Sequence, residues 1–569
     1  MAGLANALAV DGTEMTKPLA NAAIYFALDG YDPAAKGING RRVAGESFLN
    51  GYLDHARADE VVSLTHGLRD ARHFSAIVAR RAGHRRVRSV MLDRAQEIAP
   101  LDVLSYPSPA IGRECWRRSE YGSAAYAICG VTHTIATRLF MQSMIEMRTA
   151  PQMPWDAVIC TSRSALDALT LQMDLIDQNL AARFRGTAPP RPLMPIIPLG
   201  INCDDFARDP AAGAALRHRL GIGKDDIACA IVARLSVSEK FDPLPLFIAL
   251  SRAQAEAGRR FHLMLYGKFG DARSREIFLR GAATLMPGVG FHVIDGSVAE
   301  DRLATLSGAD IFLFPIDNVQ ETFGLAPVEA MAAGLPLIVT DWDGMKDTVP
   351  PEVGIRVPTE MPPQGVSSRL GRRLYGETDS YPQFCTQLSA LTRVDLGALV
   401  RALVQLGSDP ALRARMGAAG QARARAVYDW ATVLPQMQAL WGEQAAMVAH
   451  ARATGQGEPP VPAHQFPPLP LPGLYFRSFP TRVARDPGRR FVALPADDLP
   501  APEALLDLRN YEAANRLIEP RSQITATLAA LRQAGPQGAT PDDLVAATAI
   551  PLASVWRCLF WLMKYGLAE

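Results

Sequence analysis

The chain has 569 residues, which is too long for one hydrophobic core and predicts two large domains plus additional structure. Hydrophobic residues make up 48% and charged residues 21%, as in soluble globular proteins, and the net charge of +1 argues against long-range attraction to nucleic acid or anionic membranes. The seven cysteines are scattered without Cys-x-x-Cys spacing, so we expect neither a disulfide framework nor a zinc site. We find no signal-peptide pattern and no apolar run of about 18 residues, so we expect no transmembrane segment.

Short apolar segments alternate with helical patterns from about residue 21 to residue 445, which is typical of parallel sheets flanked by helices. The first predicted strand, Ala22–Leu28, runs into a glycine-rich stretch that contains Gly37 and Gly40. Glycines there would let backbone amides approach a phosphate group or an acceptor closely. A flexible surface loop is the alternative interpretation.

His133 lies in the segment Ile128–Thr134, which ends a further predicted strand. An imidazole at the end of a strand can donate to a hydroxyl group or carry a proton, although a lone histidine after an apolar strand is more often structural.

The apolar segment that starts at Ile227 leads into a loop with two cations, Arg234 and Lys240. Arginine offers a planar fork to phosphate and lysine offers a compact point charge, so this pair suits a diphosphate. The alternative is two surface cations beside Glu239.

Two acids seven residues apart, Glu321 and Glu329, flank the start of a short predicted helix. Pro327 suits the first turn of a helix and Gly334 suits its C-terminal end, so the helix is predicted over about residues 325–333. One carboxylate would then lie in the loop and the other on the helix. The alternative is that Glu329 is a capping or ion-paired residue and that Glu321 is solvated.

The helix start also predicts an anion site. The amides of Phe323, Gly324 and Leu325 would point out of the helix N-terminus, where unsatisfied donors and the helix dipole favour a diphosphate. Carboxylates beside such a site are natural partners for sugar and ribose hydroxyl groups. Asp341 to Asp343 follow the next strand and are predicted to form a turn rather than a metal site.

These motifs, together with the segment Ala309–Pro315 that precedes the acids, occur in an order that resembles the retaining glycosyltransferases of the GT-B fold. The resemblance is strongest to family 4, the group 1 glycosyl transferases. It implies an α/β fold of two Rossmann-like domains facing a cleft. Residues 21–205, completed by a helix at about 430–447, would bind the acceptor, and residues 206–429 would bind the donor.

The resemblance also assigns roles to individual residues. Glu321 would hold the donor sugar, Glu329 the ribose, and Arg234 and Lys240 the leaving diphosphate, while His133 would lie beside the transferred sugar. The donor-binding residues would be Arg234, Lys240, Glu321, Thr322, Phe323, Gly324, Leu325, Glu329, Gly37 and Gly40. Retention would proceed by front-face attack, with no protein nucleophile, no metal and no cofactor besides the donor. Gly37-Ile-Asn-Gly40 departs from the usual Gly-Gly pair of the family.

A polar insertion is predicted at residues 359–384, and a proline-rich linker at residues 452–475 leads to a separate module at residues 476–569. Three predicted helices in the module, at residues 522–533, 541–548 and 552–565, resemble the core of a winged helix. The last helix is rich in apolar side chains and poor in polar and basic ones. We therefore favour a protein partner or self-association over DNA binding.

The expected activity is transfer of a hexose-type sugar from a nucleotide-diphosphate sugar to an unidentified glycan, lipid, protein or small-molecule acceptor. The alternative is a catalytically inactive regulator that binds a sugar nucleotide and acts through the C-terminal module. An epimerase or phosphorylase of the same fold fits the order of the loops less well. A cytoplasmic location is expected, either free or peripheral at the inner membrane.

Overall fold

A computed structural model describes residues 20–31, 40–484, 486, 488–495, 501–509 and 519–569. The chain divides into two units, one that extends to Pro468 and one that starts at Leu469. Gly37 lies outside the described residues, so its predicted role stays a prediction, and Gly40 begins a helix. All seven cysteines are buried free thiols.

The first domain is built on a parallel six-stranded sheet. Its strands are β1 (Ala23–Phe26), β2 (Glu60–Thr65), β3 (Arg86–Met91), β4 (Val103–Ser105), β5 (Ala127–Val131) and β6 (Ala157–Ile159). Their spatial order is β3-β2-β1-β4-β5-β6, so the order reverses between β1 and β4. Its helices are Leu28–Tyr31, Gly40–His55, Leu68–Ala82, Gly112–Ser119, Arg138–Thr149 and Arg163–Phe184, with a 3₁₀ segment at Leu92–Leu101.

The second domain repeats this topology. Its strands are β7 (Ile227–Val232), β8 (Phe261–Gly267), β9 (Gly290–Asp295), β10 (Ile311–Phe314), β11 (Leu337–Thr340) and β12 (Gly354–Val357). They are parallel in the order β12-β11-β10-β7-β8-β9, with the reversal between β10 and β7. The predicted class, GT-B with two Rossmann-like domains, is therefore confirmed, and the crevice at each reversal point is where such sheets bind ligands.

The helices of the second domain surround a sheet whose central strands are buried on both faces. All six residues of β7 are buried, which is why this strand reads as a continuous apolar run. The α-helices are Pro210–Arg219, Leu244–Ala257, Ala272–Leu285, Ala299–Gly308, Leu325–Ala332, Met345–Thr348, Ser368–Tyr375, Tyr381–Ala390, Leu396–Ser408 and Pro410–Arg423. Three shorter segments are the 3₁₀ turns Cys203–Phe206 and Gln364–Ser367 and the π-helical turn Ala424–Tyr428.

A long helix, Trp430–Thr454, returns to the first domain and extends beyond the predicted end near residue 447. Trp430 fits against two glycines, because a Cβ on Gly51 or Gly200 would lie only 2.2 or 2.5 Å from its ring. Further along, the buried Gln444 donates from Nε2 to the carbonyl oxygens of Ile128, at 3.2 Å, and Trp155, at 2.9 Å. The helix therefore packs on the first domain.

The two connections between the domains lie side by side. The amide of Ile201 donates to the carbonyl of Tyr428 at 2.8 Å, and the amide of Trp430 donates to the carbonyl of Ile201 at 3.0 Å. Hinges between domains consist of a few loop or element-terminal residues, and both crossings are of that kind.

The proline-rich segment after the long helix contacts the first domain. The amide of Ser123 donates to the carbonyl of Glu458 at 3.0 Å, and the amide of Val461 donates to the carbonyl of Ser119 at 2.8 Å. Phe466 packs edge-on against Trp116. This part of the predicted linker is thus held on the domain surface up to the end of the first unit.

The second unit contains the helices Pro472–Tyr475, Pro502–Arg509, Arg521–Ala534, Pro541–Thr548 and Leu552–Lys564. Antiparallel bridges join Phe491 to Ala539 and Ala493 to Ala568. The winged-helix assignment stays a prediction, as does a protein partner. The apolar side chains that suggested a binding surface mostly form the core of the unit itself: Leu559, Trp561 and Leu562 are buried, and Phe560 is half exposed.

No single helix in the described ranges is both long and apolar enough to cross a bilayer. Pro541–Thr548 and Leu552–Lys564, bent by 110° at their junction, meet that criterion only when taken together.

Candidate functional site

Two loops meet at the reversal point of the second sheet, after the carboxyl ends of β7 and β10. One, the cation loop, carries Arg234 and Lys240, and the other, the acid loop, carries Glu321. Lys240 Nζ lies 2.6 Å from Glu321 Oε2 and 5.3 Å from the centre of the Phe314 ring. Arg234 donates from Nη2 to Gln320 Oε1 at 2.8 Å and pairs through Nη1 with Glu239 Oε2 at 2.5 Å. Residues predicted from separate motifs therefore form one cluster.

Glu321 is held by backbone as well as by charge. Its Oε1 accepts from the amide of Gly324 at 3.1 Å. Burial alone would raise the pKa of Glu321, but the Lys240 charge and the amides of Gly324 and Phe323 outweigh it and lower the pKa below the usual range. The carboxylate therefore stays ionised, and in this structure it takes up amide donors that the sequence assigned to a diphosphate.

The helix between the acids begins at Leu325 and ends at Ala332, close to the predicted bounds. Gly324 precedes it with φ +86°, and Gly334 follows it with φ +72°, conformations that favour glycine. Thr322 and Phe323 are both buried in the turn that leads into the helix. Their burial fixes the loop that carries Glu321.

Glu329 is buried on this helix and forms an ion pair with Arg302, a residue that the sequence reasoning missed. Arg302 comes from the helix Ala299–Gly308, and its guanidinium lies 5.4 Å from the centre of the Phe206 ring. Nothing local marks this arginine, because it stands among the charged residues that a solvated helix normally carries. A carboxylate has enough acceptor sites to serve both Arg302 and a hydroxyl group.

A further carboxyl group near the cluster, that of Asp343, was also missed as a site residue. The predicted turn is present, and Asp343 within it has φ +43°. Ser162 Oγ, from the first domain, lies 3.4 Å from Asp343 Oδ1, while Oδ2 is buried without a hydrogen-bond partner. Burial and the charge of Glu321 raise the pKa of Asp343 to about 7.

Next to this turn, Asp347 ties the two domains together. It accepts from the backbone amide of Arg163 at 2.7 Å and from the Arg163 Nε at 2.6 Å. These bonds join the N-terminal end of the helix Arg163–Phe184 to the second domain.

The predicted insertion is ordered and reaches the acid loop. It is bracketed by a two-stranded antiparallel pair, Thr359–Glu360 with Arg393–Val394. Its small apolar core includes Phe384 and Leu388, and Val319 from the acid loop packs against that core.

His133 lies in the first domain, in the loop after β5, where it lines a cavity with Thr132. Thr132 is turned toward Thr161, with the two hydroxyl oxygens 3.0 Å apart. In the adjoining glycine-rich region, Arg42 donates from Nη2 to Asp29 Oδ1 at 2.6 Å, so its charge is paired locally. Among the residues that the structure describes, no group of three or more His, Cys, Asp and Glu side chains is placed to hold a metal ion.

Residues 229–373, which include Arg234, Lys240, Glu321 and Glu329, match the family model described as Glycosyl transferases group 1. The matched segment coincides with most of the second sheet and with the whole cluster described above.

Two curated proteins are similar to the chain. One, from Mycolicibacterium smegmatis, is a GDP-mannose-dependent alpha-(1-6)-phosphatidylinositol monomannoside mannosyltransferase, 25% identical over 407 residues, which cover 69% of this chain and 93% of that protein. The other, from Corynebacterium glutamicum, is a GDP-mannose-dependent monoacylated alpha-(1-6)-phosphatidylinositol monomannoside mannosyltransferase, 26% identical over 282 residues, 47% of this chain and 62% of that protein.

Solved structures resemble the chain more distantly. Anabaena Alr3699/HepE in complex with UDP and glucose aligns with 73% of this chain and 97% of its own, at 15% identity and a TM-score of 0.47. Sucrose-phosphate synthase from Thermosynechococcus elongatus aligns with 75% of this chain and 99% of its own, at 19% identity and a TM-score of 0.45.

Proposed function

We propose that the chain is a glycosyltransferase that moves a sugar from a nucleotide-diphosphate sugar to a hydroxyl acceptor with retention of anomeric configuration. The observation that carries this proposal is the cluster of Arg234, Lys240 and Glu321 at the reversal point of the second sheet, within the matched segment, with Lys240 Nζ 2.6 Å from Glu321. Both curated relatives use GDP-mannose, and we propose the same donor here.

Departure of the diphosphate places negative charge on its oxygens, and the protein must stabilise that charge where it develops. Arg234 and Lys240 supply two cations within one loop. Lysine has three donor hydrogens on a flexible stem, so Lys240 can bond to a phosphate oxygen while it keeps Glu321 in place. Glu321, ionised and fixed by Gly324, would then accept from donor-sugar hydroxyl groups, and Glu329 from the ribose.

The proposal includes retention by front-face attack. Glu321 is assigned to the donor-sugar hydroxyl groups, and no covalent glycosyl intermediate forms on it. His133 would assist at the acceptor side. Transfer would need no metal and no cofactor besides the donor, which stays a prediction. So does the location, cytoplasmic or peripheral at the inner membrane.

Donor hydrolysis tests the proposal. Purified chain is incubated with GDP-mannose and, in parallel, with UDP-glucose, and release of the nucleotide diphosphate is measured. Slow release from one donor is expected, with a loss of at least 100-fold in Glu321→Ala, on the order of the effect of removing one electrostatic stabiliser. Glu352→Ala, at an exposed loop acid of the same domain, should retain full activity.

Tight donor binding without release by the wild-type chain would contradict the enzyme and favour the alternative regulator. Retention is tested separately. The anomeric proton of the product is followed by NMR from an α-linked donor, and a β-linked initial product would refute the proposed stereochemistry.

A further inference from the structure

A cavity of about 330 Å³ lies in the first domain at the carboxyl edge of its sheet, close to the reversal point between β1 and β4. This volume falls within the range of roughly 300–1,000 Å³ that small-molecule pockets have. Its walls come from the ends of β1, β4 and β5, from the helices Gly40–His55 and Trp430–Thr454, and from the interdomain segment at residues 197–199. The long helix thus contributes Trp430 and Met437 to the walls.

The walls are mostly apolar and rich in aromatic rings. Rings at five positions surround the space: Tyr25, Tyr31, Phe48, Tyr106 and Trp430. The remaining walls are largely aliphatic, among them Val131 and Met437. A concave surface of this composition favours an apolar occupant over water, since each Å² of apolar surface removed from water contributes about 25 cal/mol.

The polar ends of several rings are engaged elsewhere. The Tyr31 hydroxyl donates to the carbonyl of Tyr25 at 2.9 Å, and Trp430 Nε1 donates to Ser47 Oγ at 2.9 Å. The Tyr25 hydroxyl lies 2.8 Å from His66 Nε2. These bonds fix the rings in place, so the cavity is preformed and an occupant need not order its walls on binding.

The polar lining residues are Asp29, Ser105, Ser108, Thr132 and His133, and the last two follow β5. An occupant that fills the apolar part and turns its polar end toward His133 would place that end at the residue predicted to lie beside the transferred sugar. An amphipathic molecule with a hydroxyl head and an apolar body fits this distribution of wall chemistry.

We propose that this cavity, the apolar pocket, seats the apolar part of the acceptor, an aromatic ring or a hydrocarbon chain, and places the acceptor hydroxyl at His133. The inference rests on the proposed function, because an acceptor exists only if the chain transfers sugar. It adds the chemical class of the acceptor, which the cluster in the second domain does not address.

A series of alkyl α-D-mannopyranosides tests the pocket by binding. Methyl, butyl, hexyl and octyl mannosides, all below their micellar concentrations, are titrated into the full chain saturated with GDP, and dissociation constants are measured by calorimetry. Burial of each added methylene should tighten binding about four-fold until the pocket is full. Phenyl mannoside is titrated in the same way. Its affinity relative to that of octyl mannoside shows whether the pocket prefers an aromatic ring or a hydrocarbon chain.

Two substitutions fill the pocket from different sides. Ala44→Leu acts from the helix Gly40–His55 and Ala27→Leu from the end of β1, and both residues line the cavity. Either change should reduce the gain per methylene to less than two-fold. Ala76→Leu, the same change on the exposed face of another helix of this domain, should leave the series unchanged. Two fillers keep the test decisive if one of them fails to fold.

The pocket proposal would be overturned if the affinity of the wild-type chain did not change along the mannoside series. It would also be overturned if Ala44→Leu and Ala27→Leu kept the wild-type gain in affinity per methylene. Release of GDP from GDP-mannose, measured on the same preparation, separates the two proposals. GDP release with a flat series refutes the apolar pocket alone. If affinity rises steeply along the mannoside series but no GDP is released, the transferase proposal is refuted, and with it the acceptor role of the pocket.

Discussion

Replacing Arg302 by methionine tests whether charge pairing holds the second acid of the site. The Glu329 side chain is only 4% exposed, whereas that of Arg302 is 32% exposed. The guanidinium also lies over the ring of Phe206. Methionine keeps an unbranched apolar stem against that ring and removes the charge, so the change isolates the ion pair.

The size of the effect follows from which partner is buried. Breaking a buried pair from one side costs about 3–5 kcal/mol, because the remaining charge is left without compensation. We expect about 3 kcal/mol for Arg302→Met, the lower end, since the pair is open to solvent on the arginine side. Glu329→Gln should cost about 1 kcal/mol, because water can solvate the partly exposed cation that remains.

The double variant, Arg302→Met with Glu329→Gln, leaves no charge behind. Its cost should be about 2 kcal/mol, less than the sum of the two single changes, which gives a coupling energy of about 2 kcal/mol. In thermal unfolding, the loss in Arg302→Met corresponds to a fall of roughly 6–12 °C in the Tm of a domain of this size.

Urea and thermal unfolding of the full chain, followed through the transition of the second domain, measure these differences. Arg280→Met is the matched control, since Arg280 and Glu276 form a surface pair with side chains 79% and 58% exposed. Its cost should stay below about 0.5 kcal/mol. The reasoning fails if Arg302→Met is no worse than this control, or if the two single effects simply add.

Two further predictions concern the turn before the helix Leu325–Ala332 and the turn after β11. Gly324→Ala should destabilise the chain by about 1–2 kcal/mol and slow donor hydrolysis, because Gly324 has φ +86° and its amide donates to Glu321. The control is Gly371→Ala, on a helix with open space around it, which should not lower the stability measured by urea unfolding. Asp343 has a pKa raised to about 7 by burial and the charge of Glu321, so the stability its protonated form contributes is fully present below about pH 3.8 and is lost as the pH rises through 7. The change in pKa from 3.8 to about 7 corresponds to about 4 kcal/mol, so the stability of Asp343→Asn relative to wild type should rise by about 4 kcal/mol from pH 4 to pH 8. An equal difference between variant and wild type at both pH values would contradict this assignment.

Local sequence determined where the strands and helices of this protein lie and which side chains stand at their ends. The buried strand at Ile227–Val232 appears as a continuous apolar run, and the helix Leu325–Ala332 was predicted almost to the residue from Pro327 and Gly334. Such signals act over a few residues, through backbone conformation and burial, and can be found without a fold. The alternation of strands and helices likewise predicted parallel sheets flanked by helices, and the resemblance to GT-B glycosyltransferases implied two Rossmann-like domains.

Only the tertiary structure decided which side chains meet. Lys240 and Glu321 are 81 positions apart, and Arg302 and Glu329 are 27 apart, so no local pattern marks either pair. The walls of the apolar pocket combine Trp430 with strands near the start of the chain. These contacts arise from packing between elements that are distant in sequence. The residues next to an arginine on a polar helix, or to a tryptophan after a turn, do not predict which residue it will contact.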